Sequence, residues 1–132
     1  MTLKLLCAGK NDTSFQYIKL AFGDEDATTI RATSIALSLF LARKNQPHLI
    51  ICELNLVDGQ GLDLLYELNN EDELVKIPFA FLLRDKIEQA EILALLESKG
   101  QKKDVHFLCL GKELVQPDEL IRWKKEILKI IN

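Results

Sequence analysis

Cysteine is scarce in this chain: Cys7, Cys52 and Cys109 are the three it has. They are far apart, odd in number and set in apolar runs. No CxxC pair occurs, which argues against zinc or dithiol chemistry. The pattern predicts buried, reduced core thiols in a cytoplasmic protein. Long apolar runs are lacking as well. The longest, such as 35–42, fall well below the ~18 residues that a membrane-spanning helix needs. Leu3–Ala8 carries Lys4 and is too short for the apolar part of a secretory signal. No membrane partner is expected. There is no excess of basic charge: 17 Lys and Arg stand against 20 Asp and Glu, a net charge of −3. A nucleic-acid surface would need the opposite balance on one element, so no nucleic-acid partner is expected. P-loop, GxGxxG, GxSxG and HExxH motifs are absent, and Gly59-Gln60-Gly61 is too short to cradle a phosphate by itself. No linker, internal repeat or low-complexity tract is visible, and residues 1–132 are expected to form one domain.

What is present is an alternation of short apolar runs and amphipathic segments. Leu3–Ala8 reads as a strand. Asp12 or Thr13 is expected to cap the next helix, which carries Phe15, Ile18 and Phe22 on one face. Gly23 can supply a positive φ near its end. Ala27–Thr33 is rich in Thr and Ile and reads as a strand. Ser34 is expected to cap a helix with Ile35, Leu39 and Ala42 inward, ending near Gln46 because Pro47 follows. Leu49–Cys52 is a continuous apolar run, the mark of a central parallel strand. A loop at 55–61 leads to a helix with Leu62, Leu65 and Leu68 inward. Pro78–Leu83 reads as the fourth strand. Asp85 is expected to cap a helix with Ile92, Leu95 and Leu96 inward, closed by Gly100. Val105–Leu110 is the fifth strand. Pro117 opens a last helix presenting Leu120, Trp123, Ile127 and Ile131. Strand followed by helix, five times over, predicts a parallel sheet with helices on both faces. The order 2-1-3-4-5 puts a ligand site at the carboxyl ends of strands 1 and 3.

The stretch from Pro47 to Leu65 is the most informative. Pro47-His48, four apolar residues, an acid at Glu53, a loop with Asp58-Gly59 and Gly61, and then a leucine-rich helix resemble the third strand, phosphoacceptor loop and third helix of response-regulator receiver domains. Ile77-Pro78 and Pro117-Asp118-Glu119-Leu120 match the same pattern. The resemblance implies a flavodoxin-like (βα)5 three-layer sandwich. It also implies a Mg²⁺-dependent phosphoacceptor site of an acid pair, a nucleophilic Asp, a Ser or Thr, and a Lys. The sequence departs at nearly every one of these points. Gly9 and Lys10 stand at the acid pair, Glu53 at the phosphoacceptor and Leu83 at the hydroxyl. The family lysine aligns to Leu110, with Lys112 two residues later as a candidate replacement. The expectation is a degenerate pocket of Gly9, Lys10, Glu53, Leu83 and Lys112 with no enzymatic activity, cofactor or metal. In it, Glu53 meets Lys10 or Lys112 as an ion pair imitating a phosphoaspartate, or bends into solvent.

The function expected is that of a pseudo-receiver, a signalling module working through a protein partner such as a kinase or effector. The alternatives are an atypical receiver that still accepts a phosphoryl group, or a small-molecule-binding domain at the ends of strands 1 and 3. In receivers, the face formed by helix 4, strand 5 and helix 5 commonly dimerises or binds partners. Phe107 and Trp123 are the candidate residues on that face, and a homodimer through it is one expectation. For Trp123 a core edge is favoured over an interface, since an apolar stripe usually faces the core, and Phe107 equally suits plain core. His48 and His106 are isolated and read as satisfied or surface histidines.

Overall fold

The computed structural model describes residues 3–98, 105–109 and 117–131. Five parallel strands, β1 (Leu3–Ala8), β2 (Ala27–Ala32), β3 (Leu49–Cys52), β4 (Phe79–Leu83) and β5 (Val105–Cys109), form one sheet in the order β2-β1-β3-β4-β5. This is the expected arrangement. Between them run α1 (Asp12–Asp26), α2 (Ile35–Asn45), α3 (Gly61–Asn69), α4 (Lys86–Ser98) and α5 (Pro117–Ile131). No described helix is long and apolar enough to cross a membrane.

The alternation of side chains along each strand divides the core. Leu5, Cys7, Leu49, Ile51, Ala80, Leu82 and Leu108 point to one face, where Ile18 and Phe22 of α1 and Ile127 of α5 cover them. Leu6, Ala8, Ile50, Cys52, Phe79, Phe81 and Leu83 point to the other, under α2, α3 and α4. All four β3 residues are buried, as a strand covered on both faces requires.

Several local expectations hold. The Leu37 N–H donates to the Ser34 hydroxyl at 3.0 Å, and the Ile87 and Glu88 N–H groups donate to Asp85 Oδ1 at 3.0 Å. α2 ends at Gln46, which turns left-handed at φ 46° before Pro47. Gly23 takes φ 67° and kinks α1.

Others are corrected. The cap of α1 is Asn11, whose Oδ1 accepts from the Thr13 N–H at 2.9 Å. Three consecutive residues can each serve as this cap, and Asp12 is drawn away into an ion pair with Arg31. Segment 55–61 is more than a loop: Asn55–Leu56 and Gly59–Gln60 pair as a small antiparallel hairpin. On α3 the fully buried leucines are Leu64, Leu65 and Leu68, while Leu62 is half-buried. Leu95 of α4 is 44% exposed, because only the stripe of Ile92 and Leu96 meets the sheet. Cys7 and Cys52 are buried, but Cys109 is half-buried on the edge strand. Gly100, Leu110 and Lys112 lie outside the described residues.

Candidate functional site

The carboxyl ends of β1, β3 and β4 bring Lys10, Glu53, Leu83 and Arg84 together around an open cleft of about 370 Å³, with Gly9 beside Glu53. The sheet ladder runs one residue past the strands. The Gly9 N–H donates to the Ala32 carbonyl at 2.9 Å and the Glu53 N–H to the Ala8 carbonyl at 2.8 Å. Gly9 and Glu53 are thereby held side by side on adjacent strands.

Glu53 neither reaches Lys10 nor bends into bulk solvent. Its side chain folds over Gly9, so closely that a Cβ at position 9 would lie 2.6 Å from both Cγ and Cδ of Glu53. The carboxylate rests at the start of α1, where Oε1 accepts from the Asn11 N–H at 2.8 Å. The buried Ser14 hydroxyl also hydrogen-bonds it. The positive charge nearby is the Arg31 guanidinium. Arg31 sits over the Phe15 ring, donates to the Lys10 carbonyl at 3.2 Å and pairs with Asp12. No ion pair joins Lys10 to Glu53 among the described residues; the ion pairs nearest the site are Arg31–Asp12 and Arg84–Glu88. The expected Lys10 partnership is therefore corrected: Lys10 is exposed and points into the cleft, while the shorter path for Glu53 runs to the α1 N-terminus, which attracts anions.

Burial pushes the Glu53 carboxyl above the ordinary carboxylate range, and the Asn11 N–H, Arg31 and Ser14 only partly offset it. Burial likewise pushes the Cys7 thiol up to about 12 and raises that of Cys52, with the Glu53 charge adding to both; neither is a nucleophile at neutral pH. A raised Glu53 means that the folded chain holds this proton more tightly than the unfolded chain does. Its stabilising contribution is complete below the unfolded value, about 4.3, and is lost as pH rises through the folded value. Glu53→Gln keeps an acceptor for Asn11 without the half-buried charge. The variant is expected to melt above wild type at pH 7, with the gap closing as pH falls toward about 4. Thermal unfolding of both proteins across that range checks this, and a gap independent of pH would contradict it.

The residues do not fit a magnesium ion. An octahedral oxygen shell needs converging carboxylates. Gly9 offers no side chain, Lys10 is a cation, and Oε1 of Glu53 is already engaged by the Asn11 N–H. No cluster of three or more His, Cys, Asp or Glu able to hold a metal ion stands among the described residues. Asp58 is engaged elsewhere: its carboxylate accepts from the Ile35 N–H at 2.6 Å and the Ala36 N–H at 3.3 Å. Those bonds tie the hairpin to the first turn of α2 and hold the Asp58 carboxyl below its usual range. Leu83 is buried among the α2–α3–α4 side chains and closes the wall where a hydroxyl would stand.

Asn11, Ser14 and Arg31 complete the surroundings of Glu53 and were not among the predicted site residues. A signal existed for Ser14, a polar residue four positions before Ile18 on the inward stripe of α1. A signal existed for Arg31 too, since it pairs in register with Cys7 and so faces α1. The two candidates for the interaction face separate. Phe107 is half-buried and stacks on Phe81 with ring centroids 6.3 Å apart. Trp123 is 4% exposed and meets Tyr17 edge-on across the α1–α5 seam. It belongs to the core edge, because the apolar stripe of α5 turns toward α1. His48 is structural, accepting the Lys4 N–H on Nδ1 at 3.0 Å.

No protein-family model and no curated protein matches the sequence. Solved structures do. The chemotaxis response regulator CheY4 of Vibrio cholerae is similar at 15% identity, with a TM-score of 0.73 over 96% of this chain and 99% of that one. The HemR receiver domain of Leptospira biflexa is similar at 20% identity and a TM-score of 0.72, over 99% and 95%. A response regulator of Desulfuromonas acetoxidans is similar at 22% identity and 0.69, over 98% and 99%. With its strand order, its helices on both faces and its cleft at the carboxyl ends of β1 and β3, the chain has the fold of the response-regulator receiver domain.

Proposed function

We propose that this chain is a pseudo-receiver: a signalling module of receiver fold that acts by binding another protein and takes no phosphoryl group. The observation that carries the reading is the Glu53 side chain lying over Gly9, with its carboxylate bonded to Asn11 and Ser14. A carboxylate nucleophile must face the incoming phosphorus with its charge neutralised by a cation on the open side. Here its Oε1 is held by the Asn11 N–H at the start of α1, and the neighbouring position that would supply a metal ligand is the glycine that makes room for it. The arrangement favours one fixed state of the β1–β3 site over a switch between two.

Incubation with acetyl phosphate and Mg²⁺ is expected to leave the mass of the intact protein unchanged. Beryllofluoride with Mg²⁺ is expected to leave its amide NMR spectrum unchanged. A phosphoryl adduct on Glu53, or a beryllofluoride-dependent shift of the resonances around Gly9 and Glu53, would favour the atypical receiver that still accepts phosphate.

A further inference from the structure

A groove of about 460 Å³ runs along β5, walled by Lys86 of α4 on one side and by Arg122, Glu126, Lys129 and Ile130 of α5 on the other. Its floor is the consecutive run 106–109. Successive residues of a strand point to opposite faces. Four in a row lining one groove means that the groove follows the outer edge of the strand. Among the described residues, β5 pairs with β4 on its inner side and with no strand on its outer side. An open edge of this kind presents N–H and C=O groups to whatever lies beside it.

The charge of the walls is one-sided. Lys86, Arg122 and Lys129 stand against Glu126 alone, and all four are exposed. None of the three cations belongs to an ion pair among the described residues; Lys86 Nζ reaches only the Gln89 amide oxygen at 3.4 Å. Among the described residues, a chain with net charge −3 thus keeps a local excess of positive charge beside an open strand edge.

We infer that this groove takes an acidic, extended segment of a partner protein as a sixth strand beside β5. Main-chain bonds to the strand edge would give the affinity, and the cationic walls the specificity for acid. The inference rests on the reading of the chain as a protein-binding module and names the chemistry of its partner. A second copy suits the groove less well, because a two-fold contact sets the same cations against themselves. A nucleic acid offers no strand-pairing groups, and Glu126 in the wall opposes it.

The full chain, labelled with ¹⁵N, is titrated with a capped eight-residue peptide alternating Glu and Val. Its controls alternate Lys and Val, or carry N-methyl groups on every second residue of the acidic peptide. The acidic peptide is expected to shift the amides of β5 and saturate at or below about 1 mM. The lysine peptide and the methylated peptide are expected not to bind. Arg122→Glu with Lys129→Glu, both on the exposed face of α5, is expected to weaken binding at least about tenfold while leaving the fold intact. Failure of the acidic peptide to shift β5 at about 1 mM, equal binding of the lysine peptide, or indifference to the charge reversal would each overturn the inference. So would a dimer in sedimentation that the same charge reversal strengthens, or a DNA duplex that displaces the peptide from β5. The acetyl phosphate experiment is independent of these outcomes: it can fail while the groove binds, and the groove can fail while Glu53 stays inert.

Discussion

Gly61→Ala is expected to destabilise the fold by about 2–3 kcal/mol, a loss in the range of core overpacking, and to lower Tm by roughly 10 °C. Gly61 is the first residue of α3, and its N–H donates to the Leu54 carbonyl at 2.8 Å. A Cβ there would sit 2.5 Å from the backbone oxygen of Glu53, 3.0 Å from Cε1 of Phe81 and 3.1 Å from Sγ of Cys52. None of these can move aside easily. The oxygen belongs to the end of β3, and Phe81 and Cys52 are fully buried. The strand end or the start of α3 must shift, and either shift reaches the backbone that aims Glu53. Urea denaturation measures the loss. A change under about 0.5 kcal/mol, the size of an ordinary surface substitution, would mean that α3 is free to slide over β3.

The contrast between element and detail explains what the sequence could tell. Continuous burial at Leu49–Cys52, the Ser34 and Asp85 caps, and the break at Gln46-Pro47 are local signals, carried by residues that act on their immediate neighbours. The sheet order followed from the alternation. The identity of each site position was legible in the same way, because Gly9, Lys10, Glu53 and Leu83 fall at strand ends. Where Glu53 points was not legible. That depends on Asn11 and Ser14 at the opening of α1 and on Arg31 in β2, residues brought together only by the parallel register of β1 with both β2 and β3. Asp58 shows the same limit: its role at the first turn of α2 links residues 23 apart. Leu95 was misplaced for a different reason. A helical stripe can be read one position too wide, and it does not say which neighbour it faces.

The glycine at position 9 and the glutamate at position 53 are expected to behave as one unit. In contrast to Gly61, the atoms that crowd Gly9 belong to a flexible side chain. Gly9→Ala is therefore expected to drive Glu53 out toward the cleft, breaking its bonds to Asn11 and Ser14, rather than to distort the sheet. In a Glu53→Ala background there is nothing to displace, and the same substitution should cost little. The double-mutant cycle is expected to return a coupling of about 1–2 kcal/mol, within the range for residues in contact. Additive effects would show that the Glu53 side chain does not need the space above Gly9. The same geometry sets the order in which a metal site can be rebuilt. An aspartate at position 9 cannot share the pocket with a glutamate folded over it, so Gly9→Asp alone is expected to give no Mg²⁺ binding by calorimetry. Gly9→Asp with Lys10→Asp and Glu53→Asp shortens the side chain at 53, replaces the cation and supplies three carboxylates at the ends of β1 and β3, the donor type magnesium requires. That triple variant is expected to bind Mg²⁺ saturably. Equal Mg²⁺ binding by the single and triple variants would mean that Glu53 leaves its place readily, and that the missing acids alone account for the inert site.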